Sequence, residues 1–242
     1  MKKVFLGLIA FAMMAMPAMA EDVMNPIITA MPSLSIAPDA HAGGLGDVGC
    51  ATTPDLNSQH WNPAKYAFME SHGGITANYT PWLTKLVNDI DLAYLAGYYN
   101  ISEKAGAIGM SFTYFSLGDV QLTDQEGNFL VNAAPNEWAL DLSYSRKLHE
   151  YVSMAVAMRF LYSDMNNGAN AGGAVEMYPG WTMAADVALY YRQPIELPMG
   201  TSYLALGMNI SNLGGKISYD KNNTSSFIPA NLRLGASYEL AF

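Results

Sequence analysis

From residue 73 onward, apolar side chains recur at every second position, interrupted by turn-like stretches. A period of two is the mark of a β-strand, whose side chains point alternately to its two faces. The pattern predicts eight strands, at about 73–82, 89–101, 106–118, 136–146, 151–163, 181–192, 201–211 and 231–242. In the fourth, Trp138, Leu140, Leu142 and Tyr144 oppose Glu137, Ala139, Asp141, Ser143 and Ser145. In the fifth, Val152, Met154, Val156, Met158, Phe160 and Tyr162 oppose Ser153, Ala155, Ala157, Arg159 and Ser163. The last sets Leu232, Leu234, Ala236, Tyr238, Leu240 and Phe242 against Arg233, Gly235, Ser237 and Glu239. The first three are less regular, and the third carries Phe115 on its polar phase.

Either a soluble sandwich or a membrane barrel produces such alternation. Three features favour the antiparallel transmembrane β-barrel. The runs are longer than the five or six residues typical of globular strands and match what a tilted spanning strand needs. Aromatics gather toward strand ends, as at Tyr79 and Trp82, Tyr98 and Tyr99, Trp138 and Tyr144, Tyr151 and Tyr162, and Tyr190 and Tyr191; such rings suit a lipid–water boundary. The opposite faces are rich in Gly, Ala and Ser. Connection lengths agree. Residues 102–105 and 147–150 read as tight turns and 83–88 and 193–200 as intermediate, whereas 119–135, 164–180 and 212–230 are long and fall on one side of the sheet. The strand charges Asp141, Arg159, Asp186, Arg192, Arg233 and Glu239 all sit on the polar phase, so an ion-pair network in the lumen is expected. An Arg at the lipid midplane would cost about 2–4 kcal/mol.

The first 72 residues do not alternate. Lys2 and Lys3 precede an apolar run, Val4 to Ala15, followed by Ala18-Met19-Ala20 and Glu21. This order reads as a secretory signal peptide over 1–20, too short for a spanning helix. Residues 21–72 are rich in Pro, Gly, Asp, Asn and Ala. An irregular stretch of that length is uncommon in a compact domain. Trp61, Tyr66 and Phe68 supply apolar anchors that disorder lacks, so it is expected to fold as a plug segment inside a barrel spanning 73–242.

Composition narrows the function. The chain is 51% apolar and 14% charged, against about 25% charged in average soluble domains. Its 12 basic and 21 acidic residues leave no basic face for nucleic acid. A single cysteine, Cys50, excludes an internal disulfide and reads as a buried small residue. Gly44, Gly46 and Gly49 match a dinucleotide pattern by spacing, but no strand–helix unit surrounds them, and tight turns explain them better. His41, His60, His72 and His149 form no zinc-protease motif or catalytic triad, and His41 with Asp39 and Asp47 is at most a weak cation set. Asp124, Glu126 and Asn128 alternate as calcium ligands can, but the stretch reads as solvated loop, as does 222–226. Met154, Met158, Met183 and Met208 lie on the apolar phase, as lipid-facing filler or an adaptable groove. No cofactor, metal or catalytic set is expected; the chain reads as a non-enzyme.

Several distinctive runs lie between 35 and 98, and the one from Trp61 to Tyr66 is the most specific. They are Ser35-Ile36-Ala37-Pro38-Asp39-Ala40, Gly43-Gly44-Leu45-Gly46-Asp47-Val48-Gly49, Ala51-Thr52-Thr53-Pro54-Asp55, Asn57-Ser58-Gln59-His60-Trp61-Asn62-Pro63-Ala64-Lys65-Tyr66, Tyr79-Thr80-Pro81-Trp82-Leu83 and Leu92-Ala93-Tyr94-Leu95-Ala96-Gly97-Tyr98. This run resembles the PorV family of outer-membrane proteins of the type IX secretion system, itself similar to FadL-like plugged barrels. The resemblance implies an outer-membrane protein without catalytic activity. It implies binding of secreted cargo through a C-terminal signal domain, and delivery from a large translocon to a surface attachment complex with a sortase-like peptidase. It marks Asp39, Gly44, Gly46, Asp47, Trp61, Asn62 and Pro63 as plug residues; a cargo-binding set is not identified. A FadL-like transporter of a hydrophobic small molecule is the alternative. FadL-like barrels have fourteen strands, so eight strands imply a barrel cut short after Phe242. The other reading takes Tyr238, Leu240 and Phe242 as a true end and closes an eight-stranded barrel, whose interior leaves little volume for a plug.

Overall fold

The computed structural model describes residues 29–82, 89–123, 127–167, 178–198, 200–219 and 225–240. The expected signal peptide, the loop residues Asp124 and Glu126, residues 222–224 and the ends of several connections lie outside them. The strands in chain order are β1 (Gly73–Pro81), β2 (Asp91–Ser102), β3 (Gly106–Ser116), β4 (Val120–Thr123), β5 (Phe129–Ala133), β6 (Asn136–His149), β7 (Val152–Asp164), β8 (Gly180–Leu197), β9 (Gly200–Gly214), β10 (Lys216–Ser218), β11 (Ser225–Phe227) and β12 (Asn231–Glu239).

Eight of these form one curled antiparallel sheet in the order β1-β2-β3-β6-β7-β8-β9-β12. Every neighbouring pair is consecutive once the two small hairpins are set aside, which makes an up-and-down meander. These eight match the eight expected runs, with shifted ends. β6 continues to His149, so the turn expected at 147–150 moves to Glu150 and Tyr151. β8 runs on to Leu197 and β9 begins at Gly200, so the intermediate connection at 193–200 is a tight turn. Pro194 did not end β8, because backbone pairing with β9 continues on either side of it. All three connections at one end of the sheet are therefore short. At the other end, the stretches read as plain loops at 119–135 and 212–230 carry hairpins, β4 with β5 and β10 with β11. Their strands are too short for a period-two signal to stand out.

Burial is inverted relative to a soluble sheet. On β6 the small and polar phase is buried, while Leu140, Leu142 and Tyr144 are exposed. On β7 Ser153, Ala155, Ala157, Arg159, Leu161 and Ser163 face inward, and Met154, Val156 and Met158 face out. Met183 is exposed on β8 and Met208 half-buried on β9. The convex surface thus presents a continuous apolar face that water would not tolerate. One register row of that face joins Tyr79, Ala93, Tyr114, Trp138, Tyr162 and Trp181 across six strands. It lies at the end with the long connections. Trp138 stacks on Tyr162 with ring centres 5.2 Å apart, and Phe160 on Trp181 at 6.0 Å.

β1 pairs with β2 and β12 with β9; no ladder joins β1 to β12 among the described residues. The eight strands therefore do not close on themselves as the eight-stranded alternative required. The concave face is instead occupied by residues 29–72, whose bulk a sheet curled tightly enough to close could not admit.

Candidate functional site

The concave face carries two built features: a charged cluster on the strands and a lock between the sheet and residues 29–72. The cluster centres on Arg159. Its guanidinium hydrogen-bonds Asp141 on β6 and the side-chain oxygen of Asn212 on β9, and lies 3.2 Å from Asp186 Oδ2 on β8. Ser111 Oγ donates to Asp141 Oδ2 at 2.7 Å, and the Asn212 amide donates to Asp186 Oδ1 at 2.8 Å. Asn212 takes a left-handed φ of 60° at the register shift between β8 and β9, where β9 carries one extra residue opposite Asp186. Side chains from five strands thus meet around one cation. Buried charges persist only when paired and hydrogen-bonded in this way.

The six strand charges do not form a single network. Arg192 and Glu239 pair separately at 3.5 Å, at the short-turn end of β8 and β12, with Glu239 largely exposed. Arg233 donates to Ser211 Oγ at 3.3 Å and stands 5.2 Å above the Trp61 ring. Charge phase was legible in the sequence, but these groupings depend on register.

The lock is built from Trp61 to Tyr66. Asn62 precedes Pro63, and its side-chain oxygen accepts from the Ala64 amide, capping the 3-10 turn Pro63–Phe68. The same side chain donates to Cys50 O and Leu189 O, both at 2.9 Å. Trp61 is buried; its Nε1 donates to Asp39 Oδ2 at 2.8 Å, and its carbonyl accepts from Asn209 Nδ2 at 3.0 Å. Lys65 is fully buried and donates to Gly49 O and Thr52 Oγ1, with Asp55 at 3.8 Å. Tyr66 stacks on Tyr98 of β2 with centres 5.0 Å apart. Ser143 Oγ on β6 reaches Gln59, and Ser153 Oγ on β7 reaches Ala64 O. Asn78 on β1 bonds Asn57, and Ser237 on β12 bonds Ala51 O. The short inward residues allow this approach. A Cβ at Gly207 would stand 2.1 Å from Cys50 O, so any larger residue on that face of β9 would push the segment away.

Of the residues singled out earlier, Asp39, Trp61, Asn62 and Pro63 meet here. Asp39 accepts from the Ala42 amide and caps the short helix Ala40–Gly44. Gly44, Gly46 and Asp47 lie on the exposed side of the segment, where Gly46 and Asp47 take positive φ and end that helix. The glycine that matters to the lock is Gly49, since a Cβ there would fall 2.3 Å from the Trp61 ring. Sequence reading missed Gln59, Lys65, Asn209 and Ser153 as contacts; the hint available was the recurrence of Ser, Asn and Gly on the inward phase. At the long-connection end, Ser33 Oγ bonds Glu137, and Ala30, Met31 and Leu34 pack with Leu161, Ile217 and Ile228. Cys50 is buried, with Sγ 3.4 Å from Arg233 O, and burial raises its thiol pKa. No group of three His, Cys, Asp or Glu among the described residues is arranged to hold a metal. The weak cation set fails because both Asp39 oxygens already accept hydrogen bonds.

His60 is the member of the lock with an unpartnered ring nitrogen. Its Nε2 is buried without a hydrogen-bond partner among the described residues. Burial first, then the positive charges of Arg233 and Arg159, hold its imidazole well below the ordinary histidine range. The unfolded chain therefore takes up this proton before the folded chain does. Stability should fall as pH drops through about 6.5, the unfolded value, toward the depressed folded value. His60→Gln should flatten this part of the stability curve. Urea midpoints at pH 7 and pH 5 on detergent-solubilised protein check it, and an unchanged slope in the variant would refute it.

Among the described residues, no helix is long and apolar enough to cross a membrane. A curled antiparallel sheet with an apolar convex face, a polar concave face and connections sorted by length defines the class: an all-β protein of the transmembrane-barrel type. Within that class the chain belongs to the PorV family, since the family model described as type IX secretion system protein PorV matches residues 19–242. The chain is accordingly a type IX secretion system component, from a family of secretion-system proteins rather than enzymes. Comparison with curated proteins returned no match.

Proposed function

We propose that this protein sits in the outer membrane, binds secreted cargo through its C-terminal signal domain, and passes it from the translocon to the surface attachment complex. Residues 21–72 serve as a plug that closes the lumen, and the six strand charges and the Asp39–Trp61–Asn62–Pro63 lock hold that plug and the wall in shape. The observation that carries the docking part is the pair of hairpins at the long-connection end. β4–β5 extends the β3–β6 end beyond the aromatic row, and β10–β11 lies beside β8 at the same end with Ile217 packed inward on Leu161; on this reading the chain leaves the membrane here on its outer side. They present Val120, Phe129 and Phe227 to solvent, with Lys216 Nζ 4.3 Å from the Phe227 ring centre. Exposed aromatics beside a cation are common anchors of protein interfaces. Transport of a hydrophobic solute fits less well, because the inward positions around Arg159 and Asn62 are polar and occupied.

Photo-crosslinking groups placed at Phe129 and Phe227 in cells test this reading. Crosslinks to signal-bearing cargo are expected, together with loss of surface display when both residues become Ser. Crosslinks confined to lipid, with normal display, would overturn it.

A further inference from the structure

We propose that the convex face holds a seat for a membrane-lipid acyl chain, centred on Gly97. This rests on the reading of that face as lipid-facing. Gly97 lies at the middle of β2 on the outward phase, in a register row with Ile75, Met110 and Leu142. Each of those neighbours projects a large apolar side chain, and Gly97 projects none. The gap opens a trough of about 380 Å³ walled by Ile75, Leu95, Tyr99, Ile108, Phe112 and Leu142. That volume reaches the range of small-ligand pockets, which begins at roughly 300 Å³.

The chemistry of the trough selects its occupant. No charged side chain lines it, so a polar ligand or a charged peptide would lose its water and gain no partner. At mid-strand height the trough runs into the apolar face of β3 and β6 on one side and lies one strand from the sheet edge at β1 on the other. In that setting the surrounding medium is hydrocarbon, and a slender, flexible chain without donors or acceptors is what fills a narrow apolar gap. The glycine also serves the sheet, since a Cβ at 97 would stand 3.0 Å from Gly74 O on β1. Gly97 itself is therefore a poor probe, and the trough is better filled from its rims.

The test uses the full chain in phospholipid nanodiscs containing a phospholipid with a photoactivatable acyl chain, with adducts mapped by mass spectrometry. Unmodified protein should label residues 95–112 several-fold above other outward segments. Met110→Trp and Leu142→Trp should each remove most of that excess, whereas Leu234→Trp, on the outward phase of β12, should not. Even labelling of all outward strands in every variant would overturn the seat while leaving the lipid-facing reading intact. Absence of labelling anywhere on the convex face would instead remove the lipid-facing reading. No excess over residues 95–112 in the nanodiscs, with crosslinking of that stretch to a secretion partner in cells, would make the trough a protein contact and overturn the proposal.

Discussion

Replacing Arg159 by Met should cost most of the folded protein. The substitution keeps the apolar stem of the side chain but removes the guanidinium, leaving Asp141 and Asp186 buried with no cation between them. Removing one partner of a buried pair costs about 3–5 kcal/mol, because the remaining charge cannot return to water. Here two carboxylates are stranded, so the effect belongs at the upper end of that range. Arg159→Met combined with Asp141→Asn and Asp186→Asn should recover a large part of the loss, since neutral amides can still bond Ser111 and the Asn212 backbone. Urea titration of protein refolded into lipid vesicles, followed by tryptophan fluorescence, measures both. If Arg159→Met alone unfolds at the same urea concentration as the unmodified protein, the cluster does not hold the wall together.

What the sequence discloses and what it hides follows from the range of the interactions. Alternation is local, so the eight long strands and the inward phase of Asp141, Arg159 and Asp186 could be read from spacing alone. The outward position of Leu140, Met158 and Met183 came from the same period, because polar residues on the other phase had to be the buried ones. Strand ends were less legible: β6 and β8 run three to five residues past their predicted limits, since pairing with a neighbouring strand outlasts the hydrophobic pattern. The grouping of the charges was hidden, because the pairing register decides which inward charges become neighbours, and the extra β9 residue at the left-handed Asn212 sets the contacts opposite Asp186. Most hidden was the lock. Trp61 and Asn62 were visible as a motif, but their partners Leu189 and Asn209 lie more than a hundred residues away. Nothing in a single sequence marks such a pair.

Trp61→Ala should release residues 29–72 from the wall while leaving the sheet formed. The indole is buried beneath Gly49, bonded to Asp39 through Nε1, and faced by the Arg233 guanidinium. Truncating a buried Trp costs about 3–5 kcal/mol, from lost apolar contact and the cavity left behind. It also leaves Asp39 Oδ2 without its indole donor. The strand ladders themselves are untouched, so the loss should fall on the segment. Limited proteolysis of protein in vesicles should cut Trp61→Ala within residues 29–72 much faster than the unmodified chain, with fragments of the sheet still protected. Trp61→Phe, which keeps most of the ring volume and removes only the hydrogen bond, should lie between the two, at a cost near that of one buried bond, about 1–3 kcal/mol. If the segment plugs a lumen, planar-bilayer conductance should rise in the same order. Simultaneous loss of protection in segment and sheet would mean that residues 29–72 are an inseparable part of the wall and not a body seated within it.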